Sequence, residues 1–160
     1  MGQHETQHNR IIRPEHWSIM IASQEAPRGR INMSELSKQN DIHTKECRIA
    51  VTKMVLKLFD LWQISIADQA ILLNRSLRTL RRYQKGGCYA DNEDMLKRVG
   101  YLLSIHKYLR SLYPYNSDLV YRWVSSQNKA FDGHTPIEVM KKGVDGIIMI
   151  RSYLGHQMYG

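Results

Sequence analysis

The chain has 160 residues, a length that fits one domain or one domain with an extension, and a formal net charge of +8. Its two cysteines, Cys47 and Cys88, exclude a disulfide framework and a cysteine-based zinc site, and they favour a reducing cytosol. No apolar run reaches the roughly 20 residues of a membrane-spanning helix, and no signal-peptide pattern opens the chain. We therefore expect a cytoplasmic protein that makes no membrane contact.

The positive charge is concentrated in one part of the chain. Residues 1–44 carry five basic and five acidic side chains, and residues 91–160 carry nine basic and seven acidic ones. Residues 45–90 carry nine basic and three acidic side chains, and the difference leaves a net charge of +6. This concentration is the electrostatic pattern expected of a surface that binds phosphates.

The first 44 residues are interpreted as an N-terminal arm that is partly disordered. Residues 1–9 are polar, and Pro27 and Gly29 interrupt a second polar stretch further on. The first helix is predicted from Lys45 to Trp62, because apolar residues recur there at helical spacing. Those residues are Val51, Val55, Leu58 and Trp62.

Residues 58–87 predict two short helices joined by a tight turn. Ser65 is placed as the N-cap of the first helix, and Asp68 follows three residues later in a capping-box pattern. Asn74 comes after this helix and is one of the few residues besides glycine that adopt the left-handed conformation of a tight turn. The apolar face of the first helix comprises Ile66, Ala70, Leu72 and Leu73.

The second helix of this pair is basic and amphipathic. Ser76 is suited to be its N-cap, and Gly86 and Gly87 are expected to end it. The residues expected to face the core are Leu77, Leu80 and Tyr83. Two short helices across a turn, the second of them basic, form the pattern of a DNA-binding helix-turn-helix. The candidate DNA-binding residues are Arg75, Ser76, Arg78, Thr79, Arg81, Arg82 and Lys85.

The longest helix is predicted from Asp91 to Tyr113. Its first turn is acidic, which complements the helix dipole, and Pro114 is expected to stop it. The acidic residues of that first turn are Asp91, Glu93 and Asp94. The predicted inner side comprises Met95, Val99, Leu102, Leu103, Ile105, Leu109 and Leu112. A short helix is expected to begin near Ser117.

Two more helices are predicted in the last third of the chain. Thr135 is placed as an N-cap, with Pro136 at the first helical position and Glu138 at the third. The final helix is predicted from about Val144 to Leu154. Its apolar positions are Ile147, Ile148 and Ile150. Gly155 is expected to end this helix, so that the last five residues would form a tail.

An ordered set of residues in this last third follows the spacing W-x4-N-x2-F-x-G-x-T-P, then a glycine and a closing helix. The set comprises Trp123, Asn128, Phe131, Gly133, Thr135, Pro136, Gly143, Arg151, Leu154, Tyr159 and Gly160. It resembles the toxin-binding domain of the Xre/MbcA/ParS family of bacterial antitoxins. The helix-turn-helix that precedes it resembles the Xre-like DNA-binding half of that family, so the resemblance covers roughly residues 45–160.

The resemblance implies a domain organisation that agrees with the helical periodicity. A helix-turn-helix domain is expected at residues 45–90, a long connecting helix at 91–116 and a small toxin-binding domain at 117–160, after the arm at 1–44. No alternating run of any length predicts a strand. The expected fold class is therefore all-α.

The resemblance also implies a function. Such antitoxins bind and neutralise a RES-domain toxin that degrades NAD, and many repress their own operon by binding operator DNA, commonly as homodimers. By position, the toxin-binding residues would be Arg151, Tyr153, His156, Gln157, Met158, Tyr159 and Gly160. Four residues of the spacing pattern would be structural. These are Asn128, Phe131, Gly133 and Pro136.

The sequence also bears on two other classes of function. A stand-alone helix-turn-helix transcription regulator, whose C-terminal domain only dimerises, fits the same helices. An enzyme is not expected, because the chain contains no glycine-rich phosphate loop, nucleophile elbow or HExxH motif. Asp132 and His134 could form an acid–base pair, but on a turn we expect them to be solvated. No cofactor or metal is expected.

Overall fold

A computed structural model describes residues 43–160, and in that range the protein is all-α, as predicted from the sequence. Nearly all of the arm predicted at residues 1–44 lies outside the described residues. The helices are α1 (Lys45–Leu61), α2 (Ile66–Leu73), α3 (Leu77–Gln84), α4 (Glu93–Leu112), α5 (Ser117–Arg122), α6 (Pro136–Met140) and α7 (Val144–Tyr159). Two short 3-10 helices, Trp123–Ser125 and Lys129–Phe131, lie between α5 and α6.

Helix α1 buries the apolar face that its spacing predicts. Val51, Val55 and Leu58 are buried, and so is Trp62, which follows the last helical residue. Gln63 then takes a left-handed conformation with φ of 54° and turns the chain towards α2. The predicted core role of Trp62 is confirmed.

Helix α4 begins two residues later than predicted. The side chain of Asn92 accepts a hydrogen bond from the N–H of Met95 at 3.0 Å and acts as the N-cap. Asp91 was predicted in the first turn but lies outside the helix, because its neighbour takes the capping position. Glu93 and Asp94 do occupy the first turn.

Residues 48–160 form one compact unit in which α4 packs most extensively against α7, and all seven helices contribute buried apolar side chains to its core. From α4 the core receives six of the seven predicted side chains, because Leu112 is only half-buried. The buried apolar residues of α7 are Ile147, Ile150 and Leu154. Ile148 was predicted among the apolar positions of this helix, but its side chain faces outward and is 37% exposed.

His106 of α4 lies in an aromatic environment. Its ring stacks on Tyr121 at a centroid distance of 5.8 Å and meets Trp62 edge to face at 6.4 Å. Its Nδ1 atom is buried and has no hydrogen-bond partner among residues 43–160. Burial, and secondarily the charge of Arg110, lower the pKa of His106 to about 4. The imidazole is therefore neutral at neutral pH.

We expect His106 to make the stability of the protein depend on pH below neutrality. In the unfolded chain His106 has its ordinary pKa of 6.5, so as the pH falls the unfolded state takes up this proton first. The free energy of unfolding should therefore fall between about pH 6.5 and pH 4 and lose no more from this group below that range. Thermal denaturation of the parent and of His106→Phe, which keeps the aromatic stacking, measures this contribution. An equal loss in both proteins would contradict it.

Candidate functional site

The turn between α2 and α3 has the local geometry that its residues predict. The side chain of Ser65 accepts a hydrogen bond from the N–H of Asp68 at 3.1 Å. Asn74 is left-handed, with φ of 52° and ψ of 51°. Its N–H donates to the carbonyl of Ile71 at 3.0 Å, and the N–H of Arg75 donates to that of Ala70 at 2.9 Å. These two hydrogen bonds form a Schellman motif, which ends α2 and begins the turn.

The capping box predicted at the start of α2 is only half formed. The carboxylate of Asp68 does not return to the N–H of Ser65 but pairs with Lys141 Nζ at 2.6 Å. Aspartate is one methylene shorter than the glutamate that usually completes a capping box. The ion pair links α2 to the residue that follows α6.

Two arginines hold the turn against α4. Half-buried Arg75 donates to the carbonyl of Asn74 at 2.8 Å and to Asn92 Oδ1 at 3.4 Å. Buried Arg98 donates through Nε to both carboxylate oxygens of Asp94 at 3.0 Å and through Nη1 to the carbonyl of Leu72 at 3.3 Å. The end of α2 and the following turn are thus fixed to the first turns of α4.

Helix α3 presents a basic face to solvent. Ser76 acts as the N-cap, accepting a hydrogen bond from the N–H of Thr79 at 3.2 Å, and the two hydroxyl oxygens are 3.0 Å apart. Leu80 and Tyr83 are buried and the candidate residue Thr79 is half-buried, whereas the basic side chains of the helix are exposed. The exposed basic residues are Arg78, Arg81, Arg82 and Lys85. No acidic residue interrupts α3, so its exposed face carries only positive charge.

Leu77 was predicted to face the core, but its side chain is 42% exposed. It is the first residue of α3 and directly follows the Ser76 cap. At about 100° per residue, it lies closer around the helix axis to Arg81, four residues on, than to the middle of the buried Leu80–Tyr83 face. The sequence could not decide this point, because Leu77 satisfies the apolar spacing.

An aromatic cluster stabilises the segment between α5 and α7. Tyr153 stacks on Trp123 at 6.3 Å and meets Phe131 edge to face at 5.0 Å. Asn128 accepts a hydrogen bond from the N–H of Ala130 at 2.9 Å. Tyr153 is therefore half-buried in contacts within the chain, although its position suggested a residue that faces a partner.

The predicted capping box at the start of α6 is complete. Thr135 Oγ1 accepts from the N–H of Glu138 at 3.3 Å, and Glu138 Oε2 accepts from the N–H of Thr135 at 2.7 Å. The backbone hydrogen bond from Thr135 and then the side-chain one lower the pKa of Glu138 below its ordinary value. Asp132 and His134, on the preceding turn, are exposed, as predicted.

Glycines shape the junction between α6 and α7. Gly143 takes a φ of 130°, a conformation that side-chain-bearing residues rarely adopt. Gly146 lies directly against α6: a Cβ added there would overlap the carbonyl oxygen of Val139 and lie 3.3 Å from the Cα of Met140. The close approach of the two helices therefore depends on the absence of a side chain at Gly146.

Helix α7 continues to Tyr159, so the prediction that Gly155 ends it is wrong. Gly155 faces the ring of Tyr108, and Tyr159 meets the same ring edge to face at 6.3 Å. The N–H of Gly160 donates to the carbonyl of His156 at 2.7 Å. These contacts stabilise the helix beyond Gly155, although glycine by itself disfavours helical structure. The predicted tail is instead the last turn of α7.

The outer side of α7 forms a continuous exposed stripe, which we call the α7 stripe. Its members recur at helical spacing and lie within about 100° of one another around the helix. They are Asp145, Ile148, Met149, Ser152, His156 and Tyr159. Met149 is 57% exposed and Tyr159 75% exposed, so with Ile148 the stripe presents three large apolar side chains to solvent. Sequence reasoning counted Ile148 only as an apolar position of the helix and did not assign it or Met149 to an exposed surface, because apolar residues at helical spacing fit a buried face equally well.

The seven predicted toxin-binding residues do not share one surface. Among those before Gly155, Tyr153 lies in the aromatic cluster and Arg151 places its guanidinium 5.4 Å from the ring centre of Tyr101. Both are half-buried and flank the buried face of α7 on opposite sides. His156 and Tyr159 belong to the α7 stripe. The others, in the last turn and at the C-terminal residue, are Gln157, Met158 and Gly160, of which Met158 is half-buried.

Within residues 43–160, no helix is long and apolar enough to cross a membrane. The same residues contain no group of three or more histidine, cysteine, aspartate or glutamate side chains placed to hold a metal ion.

Comparison with known proteins identifies the C-terminal part of the chain. Residues 108–160 match the family model of the antitoxin Xre/MbcA/ParS C-terminal toxin-binding domain. The chain is also 32% identical over 106 residues to an uncharacterized protein, y4oB, of Sinorhizobium fredii (strain NBRC 101917 / NGR234). That alignment covers 65% of this chain and 81% of the relative. The chain belongs to the Xre/MbcA/ParS antitoxin family, and its C-terminal segment is a toxin-binding antitoxin domain.

Proposed function

We propose that the protein is the antitoxin of a type II toxin–antitoxin system and neutralises a RES-domain toxin that degrades NAD. It acts in the cytoplasm and, as a homodimer on operator DNA, represses its own operon. The observation that carries this proposal is the α7 stripe, because it exposes large apolar side chains on the outer face of a toxin-binding domain. It performs no catalysis of its own in this scheme.

The α7 stripe has the composition of a protein-binding surface. Large apolar and aromatic side chains that become buried in a complex supply most of the binding energy at such interfaces. Tyr159 adds a hydroxyl for a polar partner, and His156 lies one helical turn before it. Arg151 and Tyr153 would contribute only their exposed edges. In the proposed complex, the stripe covers the toxin's NAD site.

Co-expression with the cognate RES-domain toxin tests the proposal. Intracellular NAD should fall when the toxin is expressed alone and should be maintained when the antitoxin is present. The toxin should also co-purify with the antitoxin. If NAD falls equally with and without the antitoxin, the proposed neutralisation is wrong.

A second candidate, a transcription regulator whose C-terminal domain only dimerises, is favoured by the same exposed apolar residues. They could bury one another across a two-fold axis. In that case Met149→Asp should convert a dimer into a monomer in sedimentation experiments. The toxin would neither co-purify with the parent protein nor be inhibited by it.

The DNA-binding half of the proposal rests on the basic face of α3. Arg78 and Arg82 lie one helical turn apart on this face, and both are exposed. The Schellman motif, the Ser76 cap and the contacts of Arg75 and Arg98 hold the helix in place before DNA binds. Arg75 would then support the turn and contact a phosphate only through its exposed part.

We expect the double substitution Arg78→Ala, Arg82→Ala to weaken binding to operator DNA. Each arginine that contacts a phosphate releases counterions, so its loss should lower the slope of log affinity against log salt by about one unit. If one of them contacts a base edge, its loss should cost roughly 1–3 kcal/mol at one position of the operator. Fluorescence anisotropy across a salt series measures both quantities.

The matched control is Lys53→Ala, Lys57→Ala, which removes two exposed positive charges with the same spacing from α1. It changes the net charge equally but leaves α3 intact. If both double variants show the same salt slope and affinity, the interaction is a general effect of net charge, and the assignment to α3 is wrong.

A further inference from the structure

The exposed leucine at the start of α3 is not explained by the packing of the protein. Leu77 is 42% exposed although it belongs to a helix whose other exposed positions are largely basic. We propose that Leu77 determines operator specificity by contacting the C5-methyl group of a thymine in the major groove. This inference rests on the proposed DNA binding and adds a residue that reads sequence to those that bind phosphates.

The position of Leu77 suits a contact with a base edge. When the second helix of a helix-turn-helix enters the major groove, its N-terminal residues lie nearest to the bases. Leu77 is the first residue of α3 and follows the Ser76 cap. The side chain of Ser76 accepts a hydrogen bond from the N–H of Thr79 at 3.2 Å, and this bond fixes the N-terminal end of the helix. The side chain is therefore held at the leading end of the helix.

The charges around Leu77 argue for DNA rather than for an apolar protein partner. Arg78 is its neighbour and Arg81 lies four residues on, on the same side of the helix. A protein surface that covered Leu77 would also have to bury or neutralise these two cations. The DNA backbone neutralises them with phosphates while the groove floor faces Leu77.

The chemistry of the side chain then selects the base. Leucine neither donates nor accepts a hydrogen bond, so it cannot read the donor and acceptor pattern of a base pair. The one apolar group that unmodified DNA presents in the major groove is the thymine methyl. The operator should therefore contain a thymine at one fixed position in each half-site.

The test removes the methyl group from the DNA and its partner from the protein. Binding sites are first selected by the full-length protein from a random duplex pool, and each thymine of the selected site is then replaced by uracil in turn. For the parent protein, replacing the contacted thymine by uracil should weaken binding about fourfold, which is the factor expected from the transfer free energy of one buried methyl group. For Leu77→Ala, the same replacement should change the affinity little.

Two variants make the outcomes distinguishable. Ile71→Ala removes a similarly exposed apolar side chain from α2 and should keep the uracil sensitivity of the parent. Arg78→Ala, Arg82→Ala should bind thymine and uracil duplexes more weakly by the same factor. Circular dichroism and sedimentation establish that Leu77→Ala stays folded and keeps the parent's oligomeric state.

Failure of this inference differs from failure of the proposed function. If the parent protein selects no DNA, the proposed DNA binding is wrong and the assignment of Leu77 falls with it. If the parent selects a site but no thymine in it is sensitive to uracil, or if Leu77→Ala keeps that sensitivity, only the inference about Leu77 is overturned. A change of oligomeric state in Leu77→Ala would likewise overturn it, because the leucine would then belong to a protein interface.

Discussion

Replacing Gly146 by alanine is expected to lower the free energy of unfolding by about 3 kcal/mol, the upper end of the usual cost of overpacking a closely packed site. The added Cβ would overlap the carbonyl oxygen of Val139 and lie 2.9 Å from its carbon. Both are backbone atoms, which cannot move aside as a flexible side chain can. Helices α6 and α7 would have to separate, and the toxin-binding domain would lose its shape.

The same substitution at Gly155 is the matched control, and its effect should have the opposite sign. An alanine Cβ there would meet the ring of Tyr108 at 3.8 Å, an ordinary van der Waals distance. Within a helix, alanine is more stable than glycine by roughly 0.5–1 kcal/mol. Urea denaturation of both variants measures the two values. Equal destabilisation by both would contradict the packing of Gly146 against Val139 and of Gly155 against Tyr108.

Tyr159→Ala is expected to weaken toxin binding by about 30-fold, or about 2 kcal/mol, because a large aromatic side chain that becomes buried in an interface is a typical hot spot. Tyr159 is 75% exposed, and within residues 43–160 its ring contact is with Tyr108. Its loss should therefore cost less than about 1.5 kcal/mol of stability. Isothermal titration with the toxin and thermal denaturation separate the two effects.

The control for this experiment is Tyr115→Ala. Tyr115 is fully exposed in the turn between α4 and α5 and does not belong to the α7 stripe, so the same side chain is removed from outside the stripe. Its toxin affinity should equal that of the parent. If Tyr159→Ala binds and neutralises the toxin as well as Tyr115→Ala does, the last turn of α7 is not part of the toxin-binding surface.

The features that the sequence predicted correctly depend on short-range hydrogen bonds. The caps at Ser65, Ser76 and Thr135 and the left-handed Asn74 are determined by residues that lie within four positions of one another. The all-α class followed from the periodicity of the apolar residues, most clearly in α4. These properties need no knowledge of which helices pack together.

The errors arose where a distant part of the chain decides the outcome. Gly155 was predicted to end the last helix, but the ring of Tyr108 lies against it and the helix continues. Leu77 and Ile148 satisfy the apolar spacing, but neither is covered by another element among the described residues. Asp68 fits a capping pattern, yet Lys141 takes its carboxylate. Each case depends on contacts between residues more than forty positions apart, or on their absence.

Helix α4 has a consequence for the lifetime of the protein in the cell. It packs against α7, and through Arg98 it also contacts the last turn of α2. The half of the protein with α2 and α3 and the half with the toxin-binding domain therefore share one helix of the core. Unfolding either half would expose the apolar side of α4 that the other half needs. A protease that attacks the unfolded chain would therefore eliminate both halves together. If both proposed activities are correct, proteolysis would release the toxin and the promoter at the same rate.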